Sequence, residues 1–139
     1  MPALAANQSY ASLQISGKGI LALGSVSLNQ AAQTSAAEVG LYRPGEARPY
    51  ASFPANPVAT RQNLHRWSPN STLLAAVNAD ERGFHIDLID AASGKIAAST
   101  PPLANAPAFL SWSPDNARLT VGAGLLDALN AVTVFGVRP

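Results

Sequence analysis

The sequence predicts an all-β fold, and three observations carry that prediction. Arg66–Val77 reads RWSPNSTLLAAV and Ser111–Gly122 reads SWSPDNARLTVG, so a Trp-Ser-Pro-Asn/Asp turn followed by an apolar run is written twice. The tryptophans of the two copies, Trp67 and Trp112, are 112 − 67 = 45 residues apart. Self-similarity at about 40–45 residues is the period of a β-propeller blade, one four-stranded sheet per repeat. Hydrophobic residues make up 47% of the 139-residue chain and charged ones 12%, with 10 Gly and 11 Pro. That balance suits strands buried on both faces and joined by many turns, and it does not suit a disordered chain.

The elements follow in order. The first blade, about residues 10–56, is the most degenerate copy: SLQISGKGILALGSV gives strand, turn and strand, with Ile15 at the tryptophan position and Gly17-Lys18-Gly19 as a hairpin turn. SLNQAAQTSAA (27–37) reads as a long polar loop, which accounts for the wider spacing of 67 − 15 = 52. AAEVGLYRP and PYASFPA, separated by GEAR, complete this blade. The second blade, about 63–103, is the clearest. NLHRWSP is its first strand, Pro69 and Asn70 supply turn chemistry, TLLAAVNA is the second strand and DERG the connection. In FHIDLID, Phe84, Ile86 and Leu88 alternate with His85 and Asp87, the period-2 signature of a strand. AASGK turns, and KIAAST is the fourth strand.

The third blade, about 107–139, begins alike with AFLSWSP, DNA, RLTVGAGL and AVTVFGVRP, and lacks a fourth strand. An open blade leaves apolar faces and an unpaired strand edge. Propellers have roughly 4–8 blades, so association is expected: a homodimer or other self-association closing a six-bladed ring, with residues 1–9 of a partner chain completing the third blade; the alternative is that the chain is a fragment or subunit of a longer propeller.

These segments resemble the blades of WD-repeat proteins and of the related TolB-type propellers, whose turns read WSPDG. The residues that carry the resemblance are Trp67-Ser68-Pro69-Asn70, Trp112-Ser113-Pro114-Asp115 and LIDAASGKI (Leu88–Ile96). The last is similar to the WD-repeat segment LWDxxTGK, with Ile89 at the tryptophan position and Asp90 at the aspartate. The resemblance covers nearly the whole chain, from about residue 10 to 139, and implies a propeller fold. The chain departs from the pattern in two ways. No Gly-His dipeptide precedes a first strand, and the Trp-Asp positions read Ile89-Asp90, Tyr42-Arg43 and Phe135-Gly136. The polar network which that family builds from His, Ser, Asp and Trp is therefore expected to be incomplete, and no partner follows from the resemblance.

A net charge of +1 and the lack of any Lys/Arg stripe give no electrostatic case for nucleic acid or an anionic membrane. Without cysteine there are neither disulfides nor thiolate metal sites. MPALAANQSY has no basic n-region with an apolar stretch behind it, and no run reaches the ~18 apolar residues of a membrane span. A soluble chain is expected. Asn7-Gln8-Ser9 and Asn70-Ser71-Thr72 match the glycosylation pattern, which matters only in a secreted eukaryotic protein.

No nucleophile elbow, phosphate loop or His-Glu-x-x-His motif occurs. Trp67 and Trp112 are expected to pack between blades. His65 and His85 lack a partner at ligand spacing, so each is expected to be a hydrogen-bonded structural residue. Asp87 and Asp90, three apart on one strand, fall on opposite faces and are not a catalytic carboxylate pair.

The expected function is a non-catalytic scaffold for protein–protein interaction, with no cofactor or metal. Its binding surface is expected in the loops 57–66, 78–83, 103–109 and 125–130, where Arg61, Arg66, Asp80, Glu81, Arg82, Asp127 and Asn130 are the polar candidates. Gln14, Arg66 and Ser111, each preceding a tryptophan position, are candidates to line a central channel. The alternatives are a small-ligand or glycan-binding propeller, and the accessory propeller of a larger enzyme.

Overall fold

The computed structural model describes residues 4, 6–103, 106–123 and 132–137. Three antiparallel sheets follow one another along the chain. The first has the order β1 (Gln8–Ile15), β2 (Leu21–Asn29), β3 (Thr34–Tyr42), β4 (Ala51–Ala55). A short helix, α1 (Pro57–Arg61), leads to the second sheet of β5 (His65–Trp67), β6 (Leu73–Asp80), β7 (Gly83–Asp90) and β8 (Ile96–Ser99). The third has three described strands, β9 (Pro107–Trp112), β10 (Arg118–Ala123) and β11 (Val132–Gly136), in the order β11-β10-β9. These are the blades of an incomplete β-propeller, as the repeat predicts.

The β1–β2, β5–β6 and β9–β10 turns share one construction. The hydroxyl of Ser16 accepts from the Ile20 amide at 3.0 Å, that of Ser68 from Leu73 at 3.0 Å, and that of Ser113 from Arg118 at 2.9 Å. Three residues after each serine the backbone turns left-handed: Gly19 at φ 80°, Ser71 at 63° and Asn116 at 63°. Asn70 and Asp115 accept from the serine hydroxyl at 2.8 and 2.5 Å and so lock the two longer turns.

Alternation along the strands sorts side chains between two seams. Leu74, Ala76 and Ile89 pack against Val26, Val39, Leu41 and Phe53 of the first sheet. The intervening Ala75, Val77, Ile86 and Leu88 pack against Leu110, Leu119 and Val121 of the third. Strand β6 is therefore apolar on both faces, which is why LLAAV reads as a near-continuous hydrophobic run. The tryptophans bond each blade to the one before it: Trp67 Nε1 donates to the Gln14 carbonyl at 3.2 Å, and Trp112 Nε1 to the Arg66 carbonyl at 3.0 Å. The Tyr50 hydroxyl also crosses the first seam and donates to the Ala91 carbonyl.

The structure corrects several expectations. Segment 27–37 is mostly strand, with Leu28 facing Ser35 and Asn29 facing Thr34 across a turn at 30–33. Its polarity reflects a hairpin tip exposed on both sides, where pairing needs no apolar residue. Helix α1 was not expected, although Asn56-Pro57 is a start signal: Asn56 Oδ1 accepts from the Ala59 amide at 3.0 Å and Pro57 opens the first turn. The first strand begins at Gln8, so Gln8 and Ser9 of the segment 1–9 pair with β2 in their own blade. Within the expected loop 103–109, residues 107–109 belong to β9, and His65 and Arg66 of the loop 57–66 belong to β5.

Candidate functional site

The loop face is built from α1 and the β2–β3 and β6–β7 turns. Helix α1 seats on the first sheet because Gly24 leaves room: a Cβ there would meet Ser12 Oγ at 2.1 Å and Thr60 Cγ2 at 2.7 Å. Arg61 ends this helix and lines a groove of about 690 Å³ beside Asn7, Val26, Leu28, Asn29 and Gln30. Arg66, by contrast, turns back on its own chain. Its Nη1 donates to the Asn63 carbonyl at 2.6 Å and to that of His65 at 2.8 Å. Asp80 and Arg82 close the β6–β7 turn, with the Arg82 amide donating to Oδ1 at 2.8 Å and Nη2 to Oδ2 at 3.1 Å. Those hydrogen bonds hold the Asp80 carboxyl below the usual range. Glu81 stands exposed in the same turn. Asp127 and Asn130 lie outside the described residues.

Gln14, Arg66 and Ser111 occupy equivalent places on β1, β5 and β9, the strands that approach one another from sheet to sheet. What the repeat uses at these positions is the backbone. The carbonyls of Gln14 and Arg66 each receive a tryptophan N–H from the next blade, whereas the Arg66 guanidinium is bonded to local carbonyls.

Two polar arrangements escaped sequence reasoning. Asp87, 4% exposed, accepts from Ser99 Oγ at 2.6 Å and from Asn78 Nδ2 at 3.3 Å, with His85 Nε2 3.2 Å from its Oδ1. Serine, histidine and aspartate thus meet, but the serine hydroxyl donates directly to the carboxylate and not to the imidazole. Among the described residues no imidazole base accepts its proton, so the trio reads as a hydrogen-bonded structural cluster in which only Asp87 is buried. The i, i+2 spacing of His85 and Asp87 on β7 was the available signal. The second is His65, fully buried with neither ring nitrogen hydrogen-bonded among the described residues, contrary to the expectation of a satisfied histidine. Burial, and then the nearby Arg66 charge, push its pKa down to about 4. Among the described residues no group of three His, Asp or Glu is placed to hold a metal ion, and no helix is long and apolar enough to cross a membrane.

No protein-family model and no curated sequence matches the chain. Solved structures do. The β-propeller domain of the Trilobed protease from Pyrococcus furiosus superposes with a TM-score of 0.65 at 15% identity, over 96% of this chain and 41% of that one. The acylaminoacyl peptidase of Pyrococcus horikoshii gives 0.60 at 13% identity, over 82% and 17%. A candidate 6-phosphogluconolactonase of Bacteroides uniformis gives 0.59 at 19%, over 97% and 38%. At these identities the likeness establishes the fold, a set of β-propeller blades. The chain spans about two fifths or less of each of these proteins.

Proposed function

We propose that this chain is a non-catalytic binding module: propeller blades that associate through open end faces and present one loop face to a partner. The observation that carries this reading is the outer side of the first sheet. Leu13 pairs with Leu23 and Ile15 with Leu21, on the face turned away from the second sheet. Leu13 is 49% and Ile15 64% exposed, while their counterparts in the third blade, Leu110 and Trp112, are packed against a neighbouring blade. Apolar side chains at positions the repeat otherwise covers mark a surface that another blade can cover.

Light scattering on a sizing column across a dilution series tests it. Dimers or larger closed assemblies are expected at micromolar concentration, and Leu13→Asp with Ile15→Asp is expected to shift the mass to the monomer without unfolding the chain. A wild-type monomer at every concentration would defeat self-association. A second reading, the accessory propeller of a larger enzyme, is favoured by the peptidase propellers among the similar structures.

A further inference from the structure

Arg61 is set apart among the cations of the loop face. Arg66 is bonded to two carbonyls and Arg82 to Asp80, whereas among the described residues the Arg61 guanidinium carries no hydrogen bond or ion pair. Its groove has the volume of a ligand site, which runs from roughly 300 to 1,000 Å³. Among the described residues no acidic side chain lines it. The carboxamides of Asn7, Asn29 and Gln30 share the groove with Val26 and Leu28, the latter 45% exposed.

The walls are fixed before any ligand arrives. The Leu28 amide donates to the Asn7 carbonyl at 3.1 Å, and Asn7 Nδ2 to the Leu28 carbonyl at 3.3 Å, which clamps the start of β1 onto β2. Asn29 Oδ1 accepts from the Ala32 amide at 3.2 Å and sets the hairpin turn, while the Asn56 cap fixes the helix that carries Arg61. A preformed site spends less binding free energy on ordering itself.

The chemistry selects the ligand. A guanidinium without a partner takes a carboxylate through two parallel hydrogen bonds. Carboxamides both donate and accept, the complement of a peptide group, and the exposed leucine offers contact to an aliphatic stem. We propose that this groove binds a short acidic peptide segment, its carboxylate on Arg61 and its backbone on the flanking carboxamides. The proposal rests on the reading of the loop face as a binding surface.

The test titrates the isotope-labelled full chain with Ac-Ala-Glu-Ala-amide and Ac-Ala-Gln-Ala-amide at low salt, followed by NMR. The Glu peptide is expected to move the Asn29, Gln30 and Arg61 resonances and to bind about three- to fivefold more tightly than the Gln peptide, the range of one exposed ion pair. Arg61→Gln should erase that preference and Arg61→Lys restore part of it. Equal binding of the two peptides, or a preference that survives Arg61→Gln, overturns the proposal. Inorganic phosphate that matches the peptide in affinity reduces the groove to a simple anion site and overturns it too. Shifts gathered at 78–83 with none in the groove would sink the groove while leaving the loop-face reading in place.

Discussion

His65 shows how one substitution in a repeat changes the physics of a seam. It stands two residues before Trp67 as Leu110 does before Trp112, so an imidazole fills a place the third blade gives to leucine. The side chain shares its face with its cross-strand neighbour Ala76, and Asp87 lies one strand further along the same row. Its pKa is about 4 in the folded chain against 6.5 for the free side chain. The unfolded chain therefore binds a proton at higher pH than the folded one, and stability falls as pH drops from about 6.5 towards 4. The shift corresponds to roughly 3 kcal/mol in all, of which about 2 kcal/mol is lost by pH 5. Urea midpoints at pH 7.5 and pH 5 check this: the wild type should lose that amount, and His65→Leu should keep most of it. Equal acid losses in both would remove His65 as the cause. None of this was legible in the sequence, because a histidine in a strand does not declare which side of a sheet it faces or whether a donor waits there. Trp67 and Trp112 were legible as packing residues. That each one bonds a carbonyl of the preceding blade required the structure.

At the scale of elements, what was legible was whatever local chemistry dictates. The Ser-Pro turns and the alternating FHIDLID strand were readable, since turn residues and period-2 patterns act over a few positions. The hairpin at 27–37 was misread because its tip is exposed on both sides, where composition no longer separates strand from loop. Helix α1 had its cap and its proline, but five residues are too few for an amphipathic pattern to show. The turns yield a prediction of their own. Gly19 holds the left-handed position in the first blade, while Ser71 adopts φ 63° in the second with a side chain that disfavours it. Ser71→Gly removes that cost, and the glycine's greater freedom in the unfolded chain offsets part of the gain. A net stabilisation of about 0.5 kcal/mol is expected, read as an upward shift in the melting temperature. Asn116→Gly should gain less, because Asn116 Oδ1 accepts from the Asn70 amide at 2.8 Å and ties neighbouring turns together. A larger gain at 116 than at 71 would show that this inter-blade bond contributes nothing.

For the whole molecule, the repeat defines what the outer faces of the first and third sheets offer. Going along the stack, a tryptophan N–H from one blade meets a main-chain carbonyl of the blade before it, first at Gln14 and then at Arg66. The Ser111 carbonyl is the next acceptor in that series, and Ile15 holds the donor position at the opposite end. Phe109, 42% exposed, lies on the side of β9 opposite Leu110 and adds apolar surface to the Ser111 end. If two chains close head to tail, Ile15 of one packs on the blade that carries the partner's Ser111, making an apolar contact without the hydrogen bond. Ile15→Trp would supply the missing donor. A net gain of about 1 kcal/mol per hydrogen bond, made at both contacts of a two-fold ring, corresponds to a roughly thirtyfold lower dimer dissociation constant. Sedimentation of the wild type and Ile15→Trp across dilution decides the matter. Tightening of that order, abolished by Leu13→Asp in the same chain, would mean that the first blade of one copy meets the third blade of the other. An unchanged or weakened dimer would mean that the two faces do not meet.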